Sequence, residues 1–140
     1  MTEAVLDASV VLKWFRAEGE RHLAAARSLR AAFEAGELIV IAPSLLPLEI
    51  LNVAARRWQW EEAALLELVT TLAEARFELR DPELDRVARW TGEGLTAYDA
   101  AYIAVAEAEA IPLFTDDDLI VQTAPQIATA LGTIASGGTD

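Results

Sequence analysis

Four acidic residues, widely separated in the sequence, stand where a short apolar segment meets a helical one: Asp7, Glu49, Asp99 and Asp117. Asp7 is the first polar residue after the apolar run Ala4-Val5-Leu6, which reads as a buried strand. Asp117 follows Leu113-Phe114-Thr115, a second predicted strand, by two residues. Both acids should therefore lie at the carboxyl ends of strands.

The other two acids lie at the starts of predicted helices. Glu49 is one turn into a helix entered through Pro43, directly after the strand 38–42. Asp99 is in the first turn of a helix that Thr96 caps. Helices that follow strands in a parallel sheet begin at the same edge, so all four carboxylates are predicted to converge there. Asp7 or Asp99 alone could be a helix cap, and Asp117 alone could be a cap or a solvated charge. Glu49 lies among apolar residues, where a partly buried Glu without a partner is uncommon.

Converging carboxylates repel one another and raise each other's pKa values unless a cation neutralises them. Ligands that are all oxygen select hard ions, of which Mg²⁺ and Mn²⁺ fit best. An ion held this way can polarise a phosphate and activate a water, and a second ion can stabilise the leaving oxygen. The chemistry indicated is metal-assisted hydrolysis of a phosphodiester.

The elements that would position these acids alternate along the chain. Strands are predicted at 4–6, 38–42, 77–79 and 112–115, and the final strand is left open. The helices are predicted at 10–15, 20–35, 46–58, 61–74, 82–90 and 100–109, with a short one after Asp118. Alternation of short strands with helices is typical of an α/β fold, a parallel sheet with helices on both faces.

In the order and spacing of its motifs, the sequence resembles a PIN domain and, more narrowly, the VapC-type toxins of toxin–antitoxin pairs. The matching segments run through nearly the whole chain: Val5-Leu6-Asp7-Ala8-Ser9, Pro43-Ser44-Leu45 with Glu49 and Asn52, Thr96-Ala97-Tyr98-Asp99-Ala100-Ala101-Tyr102, and Leu113-Phe114-Thr115-Asp116-Asp117. Each segment is short, but their order and the chain length make the resemblance specific.

The resemblance implies a three-layer PIN-like fold with about five short parallel strands, a Mg²⁺- or Mn²⁺-dependent endoribonuclease activity on RNA, a homodimer, and a cognate antitoxin protein that blocks the site. It makes Asp7 and Asp99 the firmest metal ligands. Glu49 and Asp117 would bind through water or complete a second ion site.

The resemblance also suggests three supporting residues. Ser9 and Thr115 would orient carboxylates by hydrogen bonds. Asn52, one turn after Glu49, would support the same edge, although packing explains it equally well. The Thr-x-Asp spacing favours Asp117 over Asp116 as the fourth acid.

The length, composition and charge of the chain limit the classes of fold and function that are possible. The 140 residues suit one domain, predicted at 1–135 with a disordered tail at 136–140. The absence of Cys excludes disulfides and thiolate chemistry, and the single His, His22, lies in a polar stretch and reads as a solvated surface residue. The net charge of −12 argues against a broad basic face for nucleic acid, but not against a metal nuclease. No signal peptide or membrane span is evident, so a cytoplasmic protein without membrane contact is expected.

Some basic residues have two interpretations. The segment Arg56-Arg57-Trp58-Gln59-Trp60 interleaves base and aromatic, which could hold RNA, but the packing of a helix end against a neighbour is the preferred reading. Lys13 and Arg16 follow Asp7 on the first helix and could touch phosphate, or could be solvated.

Three other functions compete with the toxin. A phosphatase that forms an aspartyl phosphate would want a second Asp two residues after the first, where this chain has Ser9. The sequence barely separates a toxin from a stand-alone PIN nuclease in RNA processing or on DNA, but the short chain without added domains favours the toxin. A non-catalytic protein-binding module would show no metal-dependent cleavage.

Overall fold

A computed structural model of the chain describes residues 2–134. Its centre is a five-stranded, all-parallel sheet in the order β3-β2-β1-β4-β5. The strands are β1 (Thr2–Leu6), β2 (Leu38–Pro43), β3 (Glu78–Arg80), β4 (Leu113–Thr115) and β5 (Ala128–Ala130). The α/β class and the parallel sheet of about five strands are confirmed. The predicted tail at 136–140 lies outside the described residues.

Seven α-helices flank this sheet in the described part of the chain. They are α1 (Ala8–Val11), α2 (Leu23–Glu34), α3 (Leu46–Arg56), α4 (Glu62–Glu74), α5 (Leu84–Thr91), α6 (Ala97–Glu109) and α7 (Asp118–Thr123). Two 3₁₀ helices, Leu12–Trp14 and Leu131–Thr133, follow α1 and β5. No helix within residues 2–134 combines the length and the apolar character needed to cross a bilayer.

Several predicted helix ends are wrong by two or three residues. The helix expected from residue 20 begins at Leu23, because His22 adopts a left-handed conformation with φ 57°. The helix expected to reach Trp58 ends at Arg56, and Gln59, at φ 60°, turns the chain back towards the core. The first helix starts at Ala8 rather than residue 10, because the Asp7 carboxylate already caps it. His22 is exposed, as predicted.

The strand order determines where a ligand can bind. The chain moves outwards from β1 through β2 to β3, then crosses back and continues through β4 to β5 on the other side of β1. The strand order reverses between β1 and β4, and in parallel sheets the connections after two such strands run to opposite sides and leave a crevice at the carboxyl edge. Asp7 directly follows β1, and Asp117 is the second residue after β4.

The apolar residues that build this edge are fully buried. Val5 and Leu6 of β1 and Leu113 of β4 have no exposed surface, nor has Ile103 on α6, which packs against the sheet. The run from Ala100 to Ala106 on α6 is buried all round, and its small side chains allow that helix close approach to the strands. The carboxylates are therefore mounted on rigid backbone.

Candidate active site

Asp7 is held by hydroxyl groups from two parts of the chain. The Ser9 hydroxyl donates to its Oδ1 at 2.5 Å, the Ser9 backbone N–H donates to the same oxygen at 3.1 Å, and the Thr115 hydroxyl donates to Oδ2 at 2.5 Å. The pKa of Asp7 is raised to about 6, mainly because the carboxyl group is buried. The hydrogen bonds from Ser9 and Thr115 lower this pKa, and the charge of Asp99 raises it. Ser9 and Thr115 thus orient this carboxylate, as predicted from sequence.

Asp99 is the charge that connects the four acids. Burial raises the pKa of Asp99, and the charge of Asp117 raises it further. In turn the charge of Asp99 raises the pKa values of Asp7 and Glu49. The Thr96 hydroxyl caps α6 by accepting from the Asp99 backbone N–H at 3.1 Å, which fixes the start of that helix. The four predicted acids are therefore brought to one edge, and each interacts electrostatically with at least one other.

Glu49 is positioned by a residue for which sequence reasoning proposed no role. The phenol of Tyr102, itself fully buried, donates a hydrogen bond to Glu49 Oε1 at 2.5 Å. Burial raises the pKa of Glu49, while this hydrogen bond lowers it. The pKa of Tyr102 is raised by burial and by the charge of Glu49, so the phenol keeps its proton as a donor. The sequence feature that could have indicated this role is the position of Tyr102 one helical turn after Asp99.

Asp117 and Asp116 have different roles. Asp117 caps α7, with Oδ1 accepting from the backbone N–H groups of Leu119 and Ile120 at 2.9 and 3.2 Å. Its own N–H donates to the Thr115 hydroxyl at 3.0 Å, which connects it to Asp7. The competing explanation of Asp117 as a helix cap is thus also true, but it uses only one carboxylate oxygen.

Asp116 points into a buried ion-pair cluster. Lys13 Nζ lies 2.9 Å from Asp116 Oδ2 and 2.7 Å from Glu20 Oε1, and Arg21 Nε lies 3.2 Å from the same Asp116 oxygen. Burial opposes ionisation of Asp116, but hydrogen bonds from Lys13 and Arg21 outweigh it and hold its pKa below the usual range. These contacts explain why Asp117 rather than Asp116 faces the other acids. The Asp116 N–H also donates to the Ser9 hydroxyl at 2.9 Å.

Both interpretations of Lys13 from the sequence are wrong. It is neither solvated nor free to touch phosphate, because its side chain is 1% exposed and both its carboxylate partners are protein groups. Its companion Arg16 pairs with Glu18 at the surface and lies over the Trp58 ring at 5.8 Å. Asn52 is exposed, and within residues 2–134 its side chain makes no hydrogen bond to a site acid.

Comparison with known proteins identifies the fold. A family model for the PIN domain matches residues 4–124. The chain belongs to the PIN domain family. PIN domains are generally nucleases that hydrolyse phosphodiesters, and they typically use divalent metals. The motif segments identified from the sequence all lie within the matched range.

A solved structure agrees with this assignment. The PIN domain described here is similar to the crystal structure of PAE2754 from Pyrobaculum aerophilum, with 26% identity and a TM-score of 0.66. The match covers 94% of this chain and 92% of that one. No curated protein matches the sequence.

The donor set of this PIN domain suits a hard divalent cation, although it is not a ready-made cage. All four side chains offer oxygen, and their mutual repulsion is a cost that a cation would relieve. Among residues 2–134, no three acidic or histidine side chains are placed to hold one ion together. Mg²⁺ commonly takes one or two carboxylates and completes its shell with water, so a pair such as Asp7 and Asp99 is sufficient.

Proposed function

We propose that this PIN domain is a Mg²⁺- or Mn²⁺-dependent endoribonuclease that acts as the toxin of a toxin–antitoxin pair. The observation that carries the proposal is the charge coupling of Asp99 to Asp7, Glu49 and Asp117 at the crevice between β1 and β4. When bound, the ion would polarise a phosphate and promote attack by water.

The protein's own residues have separate tasks in this proposal. Asp7 and Asp99 bind the ion directly, and Glu49 and Asp117 bind through its water shell or complete a second site. Ser9 and Thr115 keep both Asp7 oxygens aimed by their hydrogen bonds. Because the Asp7 pKa is about 6, the carboxylate is ionised and able to bind a cation at neutral pH, but less so below pH 6.

A cleavage assay tests the catalytic part. Total RNA is incubated with the purified chain in Mg²⁺, in Mn²⁺ and in EDTA, and cut sites are mapped by sequencing of the new ends. Asp99→Asn should abolish cleavage, whereas Asp85→Asn, which removes an exposed acid from α5, should leave it unchanged. Absence of metal-dependent cleavage by the wild-type chain would refute the nuclease proposal.

The toxin role predicts partners. Apolar side chains of α4 and α5 are exposed, with Leu66 at 60%, Val69 at 45% and Leu84 at 76%, which supports a homodimer or an antitoxin contact. The net charge of −12 suits a basic partner segment. Induced expression of the chain in the cytoplasm should arrest cell growth. A neighbouring reading frame should encode a short DNA-binding protein that relieves this arrest. Cleavage without toxicity or such a neighbour would favour a stand-alone nuclease.

A further inference from the structure

In the part of the chain that the structure describes, one basic residue beside the acid cluster has no ion-pair partner. Arg57 follows the last residue of α3, and its exposed side chain lines a cavity of about 240 Å³. The other residues of the cavity wall come from α1, the 3₁₀ helix after it, the loop before α2 and the segment after β4: Ser9, Leu12, Glu20, Asp116 and Asp117. Since Asp117 is one of the four site acids, the cavity adjoins the site.

Two of the three carboxylates in this wall, Glu20 and Asp116, have cationic partners other than Arg57. Glu20 and Asp116 both pair with Lys13, and Asp116 also pairs with Arg21. Within residues 2–134, Arg57 forms no salt bridge. A guanidinium in this position can therefore bind an anion without breaking an existing ion pair, and its planar fork matches two phosphate oxygens.

The aromatic residues next to Arg57 are already engaged. Trp58 and Trp60 are half-buried, pack against the core, and lie against each other with ring centroids 5.2 Å apart. Arg16 lies over the Trp58 ring. The preferred reading of this segment as helix-end packing is therefore correct for both tryptophans. Because both rings already pack against the core and against each other, we assign any contact of this segment with nucleic acid to charge rather than to stacking.

We propose that Arg57 forms a phosphate subsite, which binds a backbone phosphate of the substrate strand adjacent to the one that is cleaved. The proposal rests on the proposed nuclease function. Arg57 and Asp117 line the same cavity, and consecutive phosphates along a strand are separated by a single nucleotide. A phosphate next to the cleaved bond can thus reach Arg57 while its neighbour lies over the acids.

Salt dependence of RNA binding tests this subsite. A fluorescein-labelled single-stranded RNA that the wild-type chain cleaves is titrated with the Asp99→Asn protein in Mg²⁺ at several KCl concentrations, and anisotropy gives Kd. Addition of Arg57→Gln should reduce the slope of log K against log salt by about 0.7, the contribution of one phosphate contact on a single strand. Arg56→Gln, an exposed arginine beside it that does not line the cavity, is the matched control.

Cleavage kinetics give a second, independent readout. In the otherwise unchanged chain, Arg57→Gln should raise KM roughly two- to fivefold with kcat nearly constant, because the contact is equal in the ground and transition states. Arg57→Lys should restore most of the salt slope, since it restores the charge.

Equal salt slopes and KM values for Arg57→Gln and Arg56→Gln, with cleavage intact, would overturn the subsite and leave the nuclease proposal standing. Failure of the wild-type chain to cleave RNA in any metal would overturn both.

Discussion

Replacement of Asp7 by Asn removes a charge from the most deeply buried of the four site carboxyl groups, which is 4% exposed. Because the pKa of Asp7 rises from 3.8 to about 6, ionising it in the folded protein costs about 3 kcal/mol. The wild-type chain therefore carries this cost at neutral pH whenever no cation is bound, and the Asn variant does not.

The sign of the pH dependence follows from proton binding. Between pH 4 and pH 6 the folded protein keeps a proton on Asp7 that the unfolded chain has released, so the Asp7 contribution to stability falls as pH rises and is lost above pH 6. The free energy of unfolding of Asp7→Asn minus that of wild type should therefore increase by about 2 to 3 kcal/mol between pH 4 and pH 8.

The substitution has one further effect that does not depend on pH. Asn offers a single acceptor oxygen, so the Thr115 hydroxyl, which donates to Asp7 Oδ2, loses its acceptor. The buried unsatisfied group costs about 1 to 3 kcal/mol and shifts the whole difference curve downwards without changing its slope. The change with pH, rather than the absolute difference at one pH, is therefore the quantity to measure.

Urea unfolding in EDTA, followed by circular dichroism at pH 4, 5, 6, 7 and 8, measures this difference. Asp85→Asn, an exposed acid on α5, is the control and should parallel wild type. Saturating Mg²⁺ at pH 8 should stabilise wild type and leave Asp7→Asn nearly unchanged. Parallel wild-type and Asp7→Asn curves across this pH range would refute the argument that burial and Asp99 act on an ionisable Asp7.

Three further substitutions or additions test other parts of the site. Mg²⁺ at a hundredfold excess over its Kd should raise the free energy of unfolding by about 2.7 kcal/mol, and a gain that persists in Asp99→Asn would place the ion elsewhere. Tyr102→Phe removes the hydrogen bond to Glu49 and should weaken Mn²⁺ binding, measured by calorimetry, roughly tenfold or more; unchanged affinity would make Tyr102 a packing residue only. Lys13→Met leaves Glu20 without a cationic partner and Asp116 with Arg21 alone, and should destabilise the fold by about 3 kcal/mol in urea unfolding. Arg16→Met, which removes only a surface ion pair with Glu18, should cost less than about 1 kcal/mol, and equal losses would contradict this.

The features predicted correctly from sequence are those with a local signal. The apolar runs before Asp7 and Asp117 mark strands, and Thr96 marks the start of α6 through its hydrogen bond to the Asp99 N–H. The parallel topology then follows from alternation of strands and helices. Because this topology gathers the ends of β1 and β4, placing the acids at one edge required no knowledge of long-range contacts.

The features missed are those that depend on distant partners. β5, with the sequence Ala-Thr-Ala, has no strand-like pattern, and its conformation comes from pairing with β4. Lys13 is paired with Asp116, 103 residues later, so no local pattern indicates that it is buried. The contact between Tyr102 and Glu49 joins α6 to α3 in the same way.

Crystals soaked in Mn²⁺ and measured for anomalous scattering would test most directly whether the four acids form a metal centre. A metal centre formed by these acids predicts a peak at the carboxyl edge of the sheet, in the crevice between β1 and β4, with Asp7 and Asp99 among its ligands. Full occupancy at some other group of residues, or no peak at this edge under conditions that support cleavage, would contradict it.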